Sequence, residues 1–211
     1  MADISCGELI DMKIVGICAS HRRAGNSHRL LEEAMKGIKE VNPQAEPKII
    51  ELARLNISPC IATCAYVDPV TCARRPFECN VKDDLQVVFE EMKQADAILI
   101  ASPYYFLAPS KLTALMERLY CIHYFTKHKH PNVAFPTTDK PFGLLAVSGT
   151  GGDYNLPLLE HLKRFCLYLQ MKPVTTKTGP YIGVSGEEPI EKDTNALEHA
   201  KTLGQTIAKV T

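Results

Sequence analysis

Short apolar runs alternate with longer amphipathic stretches along this chain, and that rhythm restricts the fold more than any other feature of the sequence. Residues 13–18 read KIVGIC, a run suited to a strand buried on both faces; further strand candidates lie at 47–52, 97–101 and 142–147, with a weaker fifth at 173–176. From Ser27 onward Leu30, Leu31, Ala34, Met35 and Ile38 recur at helical spacing with Glu32, Glu33, Lys36 and Lys39 between them, the pattern of an amphipathic helix. Helices are predicted to fill about 83–94, 109–121, 154–170 and 193–209. Strand–helix–strand units close by right-handed crossovers into a parallel sheet covered on both faces. The expectation is an α/β fold built on a doubly wound, five-stranded parallel sheet in the order 2-1-3-4-5.

A length of 211 residues suits one domain spanning 1–211. Such a chain buries roughly 70% of the surface its unfolded form exposes, so it needs neither disulfides nor a metal merely to fold. Lys plus Arg number 24 and Asp plus Glu number 24, a balance that argues against a nucleic-acid partner, whose footprint is a basic excess. No apolar run reaches the length of a membrane span, and the opening MADISCGELIDM lacks a signal-peptide pattern, so a soluble, cytoplasmic protein is expected. The glycosylation-like triplet Asn56-Ile57-Ser58 carries no weight without a secretion signal.

Eight cysteines occupy positions 6, 18, 60, 64, 72, 79, 121 and 166. Four of them fall in a stretch at 53–82 that interrupts the strand–helix rhythm, where loops of α/β units usually run about 2–6 residues. In a reducing compartment such clustering points to a metal centre or redox work rather than structural bridges. Cys60, Cys64, Cys72 and Cys79, separated by three, seven and six residues, supply soft thiolates for an iron-sulfur cluster or a tetrahedral zinc, with unligated or disulfide-forming thiols as the other readings. Cys18 and Cys166 read as small buried hydrophobes. Cys121, His123, His128 and His130 have no zinc-ligand spacing and are interleaved with Lys127 and Lys129, so they read as a solvated loop. Asp83 and Asp84 read as helix caps.

In an open parallel sheet, ligands sit beyond the carboxyl ends of the strands where the strand order reverses, so the loops after strands one, three and four carry the functional signal. The first loop holds Ser20, Arg22, Arg23, Gly25, Asn26 and Ser27 immediately before a helix. Its hydroxyl and amide groups, the helix amides and the absence of any acid between Lys13 and Leu31 favour an anion such as phosphate. An ordinary polar turn with Asn26 or Ser27 as cap is the plainer alternative. The third-strand loop, Pro103, Tyr104, Tyr105 and Phe106, sets three aromatic rings between two prolines, a wall against which a planar ring can stack. After strand four, Ser148, Gly149, Thr150, Gly151, Gly152 and Asp153 offer three glycines whose backbone can approach a ligand closely. The dinucleotide and P-loop glycine patterns are both absent at the first turn.

The stretch A-S-x-R-x-x-G-N-S, the stretch A-S-P-Y-Y-F with its following helix from Lys111, and the segment from Pro59-Cys60 to Cys79-Asn80-Val81-Lys82-Asp83-Asp84 together resemble the iron-sulfur flavoprotein branch of the NADPH-dependent FMN reductase and flavodoxin-like superfamily, over roughly 13–175. The resemblance implies a flavodoxin-like fold, bound FMN, redox chemistry and a homodimer or homotetramer. It places Ser20, Arg22, Asn26 and Ser27 on the phosphate, Pro103 to Phe106 along the ring and Ser148 to Asp153 on the other side. Family members carry a compact C-x2-C-x2-C followed by a fourth cysteine, whereas here the middle of the motif is expanded, and His21 stands where relatives have proline.

An FMN and [4Fe-4S] oxidoreductase, exchanging electrons with a redox protein such as ferredoxin or with a small-molecule acceptor, is the first functional expectation. It requires no side-chain acid, base or nucleophile. A cluster-free reductase of quinones, azo compounds or metal ions driven by NAD(P)H is the second, and a pure electron carrier the third.

Overall fold

The computed structural model describes residues 11–61, 72–176 and 183–211. Its strands are β1 (Lys13–Cys18), β2 (Glu46–Glu51), β3 (Ala97–Pro103), β4 (Pro141–Ser148), β5 (Lys172–Pro173) and β6 (Val184–Glu187). Its helices are α1 (Asn26–Val41), α2 (Leu85–Gln94), α3 (Ser110–Lys129), α4 (Leu156–Tyr168) and α5 (Thr194–Val210).

The sheet order is β2-β1-β3-β4-β5, all pairings parallel, as the alternation of elements predicts. The fifth position differs in detail. β5 pairs with β4 only at Pro141 and Phe142, and β6 then takes over the same edge of β4 from Leu145 to Ser148. The expected strand at 173–176 is therefore a two-residue stub, and the edge is completed by a segment with Val184 as its one large apolar residue, too weak a pattern to register in the sequence.

Alternate residues of the central strands feed two apolar layers. Val15, Ile17, Ile98, Ile100 and Leu144 pack against α2, α3 and α4. Ile14, Cys18, Leu99, Ala101, Leu145 and Val147 pack against α1 and α5. Strand β3 is buried along its whole length, which explains its continuous apolar run, whereas β2 at the edge is mostly half-exposed. Gly37 of α1 and Gly204 of α5 let these two helices touch backbone to backbone: a Cβ at Gly37 would collide with the Lys201 carbonyl, and one at Gly204 with that of Ala34.

Helix α3 runs eight residues past the predicted 121, and this overturns the solvated-loop reading of the His/Lys-rich stretch. Cys121, His123 and His128 lie on the helix, and His130 caps it. The reason is that no helix breaker occurs before Pro131, that Ile122, His123 and Thr126 turn inward to the core, and that Lys127, His128 and Lys129 complement the negative end of the helix dipole.

Candidate functional site

The three loops singled out in the sequence meet at the carboxyl rim of the sheet. Backbone hydrogen bonds set them there: Ala19 N–H donates to the Ala101 carbonyl (2.8 Å), and Tyr104 N–H to that of Val147 (2.8 Å). The His21 and Tyr105 rings approach edge-on at 6.4 Å between centroids, joining the first loop to the third.

The first loop is held by Ser20, whose hydroxyl accepts from Arg22 N–H (3.1 Å) and donates to the Arg22 carbonyl (3.2 Å). Gly25 sits where a Cβ would press on Arg22 and Ser20. It precedes α1 in extended conformation, and no side chain caps the helix, so the first-turn amides keep their capacity to bind an anion. Ala24 in this loop and Phe106 in the aromatic loop both adopt left-handed backbone, with φ of 46° and 62°, a costly choice for residues other than glycine.

The aromatic loop puts Tyr105, Phe106 and Leu107 on the surface, with Phe106 91% exposed. Tyr154, beside the glycine-rich loop, is exposed as well. Bare aromatic surface grouped at a strand-end rim is the signature of a ligand site rather than of a solvated loop. In the glycine-rich loop, Gly151 N–H donates to Ser148 Oγ (2.9 Å). Gly151 has φ of 58°, and a Cβ there would stand 2.8 Å from that of Glu187. Gly149 and Gly152 face open space, since a Cβ on either meets nothing within 4 Å.

A fourth segment, missed in the sequence, buttresses this rim. Ile190 N–H donates to Asn26 Oδ1 (3.4 Å), Glu188 N–H to the Ser148 carbonyl (2.9 Å), and Ser185 Oγ to the Gly152 carbonyl (2.8 Å). Asn155, fully buried, ties the same pieces together through Nδ2, which donates to Ser185 Oγ (2.9 Å) and the Gly186 carbonyl (3.1 Å). Glu188 lies 3.8 Å from Arg22 and Glu191 3.0 Å from Arg29, so acids distant in sequence temper the positive field that the first loop shows when read alone. Opposite charges some 160 positions apart leave no local signal.

The described parts of the cysteine-bearing segment are tied to α3. Lys111 Nζ donates to the carbonyls of Ala53 (2.9 Å) and Leu55 (2.6 Å). The amides of Asn56, Ser58 and Cys60 are held in turn by Asp84 (2.7 Å), Asp83 (2.8 Å) and Glu117 (3.4 Å). Asp83 also accepts from Leu85 N–H (3.1 Å), as a cap would, but Asp84 reaches across to Asn56 instead of capping α2. The buried guanidinium of Arg118 meets Asp83 Oδ2 at 2.5 Å and also donates to the carbonyls of Ser58 (3.2 Å) and Val81 (3.1 Å) and to Cys79 Sγ (3.4 Å). Burial alone would raise the pKa of Asp83, but Arg118 and the two amides outweigh it and hold the carboxyl below its ordinary value.

Of the four cysteines expected as one ligand set, the three that are described are spread along α3. Cys60 Sγ lies 3.9 Å from Cys121 Sγ, and Cys79 lies on Arg118, one turn earlier. Cys72 is buried at the far end, where Lys129 Nζ donates to its carbonyl (2.5 Å) and His130 contacts the carbonyl of Ala73. Cys121 and Lys129 are eight positions apart on the helix, an axial rise of about 12 Å. Cys64 lies outside the described residues. Among the described residues no group of three His, Cys, Asp or Glu side chains is placed to hold a metal ion. Cys18 and Cys166 are buried, as expected, and burial pushes the Cys18 thiol up to about 11 and that of Cys166 further still.

A concavity of about 710 Å³ opens at the opposite, amino end of the sheet between Asp96, Lys140, Lys172 and Thr206. It gathers neither helix amino termini nor aromatic surface, and the rim described above remains the candidate site. No helix among the described residues is long and apolar enough to cross a membrane.

Comparison with known proteins agrees with the fold. The chain is similar to an iron-sulfur flavoprotein of Methanocaldococcus jannaschii, 29% identical over 205 residues that cover 94% of this chain and 97% of the relative. A second iron-sulfur flavoprotein, from Archaeoglobus fulgidus, is 29% identical over 198 residues, covering 94% and 80%. In fold it is similar to the NAD(P)H:quinone oxidoreductase from Methanothermobacter marburgensis, with a TM-score of 0.63, 17% identity and coverage of 94% and 96%. A WrbA-like flavodoxin from Agrobacterium tumefaciens superposes with a TM-score of 0.59 at 16% identity, covering 95% and 97%. The resemblance carried by the sequence motifs is thus borne out, and residues 12–179 match the family model described as NADPH-dependent FMN reductase. The chain is a flavin-dependent oxidoreductase and belongs to the NADPH-dependent FMN reductase family.

Proposed function

We propose that this chain holds FMN at the carboxyl rim of its sheet and passes electrons from NAD(P)H to a small oxidised acceptor such as a quinone or an azo compound. The observation that carries the reading is the convergence of an uncapped α1 amino terminus, the exposed Tyr105 and Phe106, and the open outer side of the Gly149–Gly152 loop on one rim. FMN, when bound, supplies a ring that accepts electrons in ones or twos. The chain's own groups do the rest. The first-turn amides of α1 and the Nδ2 of Asn26, whose Oδ1 is taken by Ile190, donate to phosphate oxygens. Ser27 lies buried in the same turn, Ser20 closes the loop, and Arg22 and Arg23 add positive charge. Tyr104, Tyr105 and Phe106 exclude water along one edge, and the amides of Ser148 to Asp153 are available to hydrogen-bond the other. Exposure of Phe106 leaves access for a donor or acceptor.

The relatives' names bring an iron-sulfur cluster into the reading, and the sequence motif offers Cys60, Cys64, Cys72 and Cys79 as its ligands. The described members of that set do not fit one: Cys72 is anchored away from Cys60 and Cys79 along α3. No electron step is therefore routed through a cluster.

The test is titration of flavin-stripped protein, followed by flavin fluorescence. FMN is expected to bind at least about tenfold more tightly than riboflavin, which lacks the phosphate, and Asn26→Asp is expected to lose about that factor by setting a carboxylate against phosphate. Equal affinity for the two flavins overturns the phosphate assignment. Oxidation of NAD(P)H that requires both FMN and quinone supports the reaction, whereas reduction only by a protein donor supports an electron carrier instead.

A further inference from the structure

Asn155 departs from two local rules at once. It directly precedes α4, where an asparagine ordinarily caps the helix with its own side chain, yet it makes no such cap bond. Its Oδ1 is buried and finds no hydrogen-bond partner among the described residues. A side chain that forgoes its cap and buries an unmet acceptor is held in place by what its other atom does.

That atom is Nδ2. It donates to the Ala146 carbonyl of β4 (3.4 Å), and to Ser185 Oγ (2.9 Å) and the Gly186 carbonyl (3.1 Å) of β6. The Ser185 hydroxyl, accepting from Asn155, turns its own proton to the Gly152 carbonyl (2.8 Å). Each bond in such a relay polarises the next. The relay ends in the glycine-rich loop, where Gly151 and Gly152 both adopt left-handed backbone, with φ of 58° and 53°. Glycine permits this conformation but does not enforce it, so the shape of the loop is imposed by its neighbours. Gly151 is held by Ser148 Oγ, and Gly152 by the Asn155–Ser185 relay. Because the peptide is planar, fixing the Gly152 carbonyl also fixes the peptide that joins it to Asp153.

We propose that Asn155 is a positioning residue for the flavin: through Ser185 it sets the glycine-rich loop against the ring, and so acts on the ring end of the ligand rather than on its phosphate. The proposal rests on the reading that FMN occupies this rim. The phosphate end is joined to the same buttress by a separate bond, from Ile190 to Asn26, which leaves the relay to serve the loop alone.

The test uses the full chain, stripped of flavin and titrated with FMN and with riboflavin well below its melting transition. Ser185→Ala removes the hydroxyl between Asn155 and Gly152. It should weaken both flavins by a similar factor, about fivefold for one hydrogen bond, and leave the ratio of the two affinities at its wild-type value. Asn155→Ala should lose at least as much, and Ser185→Thr, which keeps the hydroxyl, should bind as wild type. In both alanine variants the reduction potential of the bound flavin should move to more negative values, because a carbonyl oxygen without its donor opposes electron density added to the ring. A merely structural role would lower the urea midpoint of the flavin-free chain and leave affinities and potential unchanged, and that result overturns the assignment. A loss confined to FMN overturns it as well, since the effect then lies at the phosphate. A wild type that binds neither flavin removes the occupancy of the rim and this proposal together, whereas normal wild-type binding with unaltered variants removes the proposal alone. Ser185→Ala decides the matter even if Asn155→Ala folds poorly.

Discussion

Arg118 illustrates how one side chain can organise a segment that has no regular structure of its own. Its guanidinium is buried to 99% and serves a carboxylate, two carbonyls and a thiol on two separate stretches, 58 and 79–83. Cutting one partner out of a buried ion pair strands the other, at a cost of about 3–5 kcal/mol, while replacing both with apolar groups recovers most of it. Arg118→Met should therefore lower the unfolding free energy by about that amount in urea titrations, and the double variant with Asp83→Leu should regain a large share. His123 makes a second prediction. It is buried between the Phe135 and Tyr168 rings, and burial, aided by the charge of Lys127, lowers its pKa. Below the ordinary histidine value the unfolded chain binds a proton that the folded chain refuses, so stability falls as pH drops through that window, by up to about 1.4 kcal/mol per pH unit. Denaturation midpoints at pH 7.5 and 5.5 should show this loss, and His123→Phe should flatten it.

At the level of elements, the contact between α1 and α5 is the most exacting. An added methyl at Gly204 runs into the backbone of α1 rather than into a side chain that can turn away. Gly204→Ala should cost about 3 kcal/mol, at the upper end for overpacked interiors, and lower the melting temperature by roughly 6–12 °C. Elements also show how far the amino-acid sequence can be read. Strands β1, β3 and β4 announce themselves because burial on both faces demands continuous apolar runs, and the loops after them are legible because their chemistry is local. β6 escapes notice because its neighbour β4 and the layer of α5 supply what its own residues lack. The buttress at 185–193 and the bond from Ile190 to Asn26 join residues 164 positions apart, and no periodicity reports such a meeting. Asp83 and Asp84 look like caps from their place before a helix, yet their main partners lie across a loop and on α3. Cys121 looks incidental for the same reason: its neighbour Cys60 is 61 residues away.

For the molecule as a whole, flavin binding and folding are linked. A ligand that binds only the folded chain at a hundredfold excess over Kd adds about 2.7 kcal/mol, so FMN at that level should raise the melting temperature by roughly 5–11 °C, and riboflavin by less at equal concentration. The backbone contact at Gly37 and Gly204 bears on this same linkage from the far side of the helix. Asn26 lies eleven residues from Gly37, about 16 Å along the axis of α1. A helix pinned at such a fulcrum behaves as a lever: tilting it by about 5° swings its tip by about 1.4 Å, half the length of a hydrogen bond. The aim of the first-turn amides of α1 is thus calibrated by two missing side chains on the opposite half of the protein, and a change that leaves every rim residue intact can still spoil their alignment.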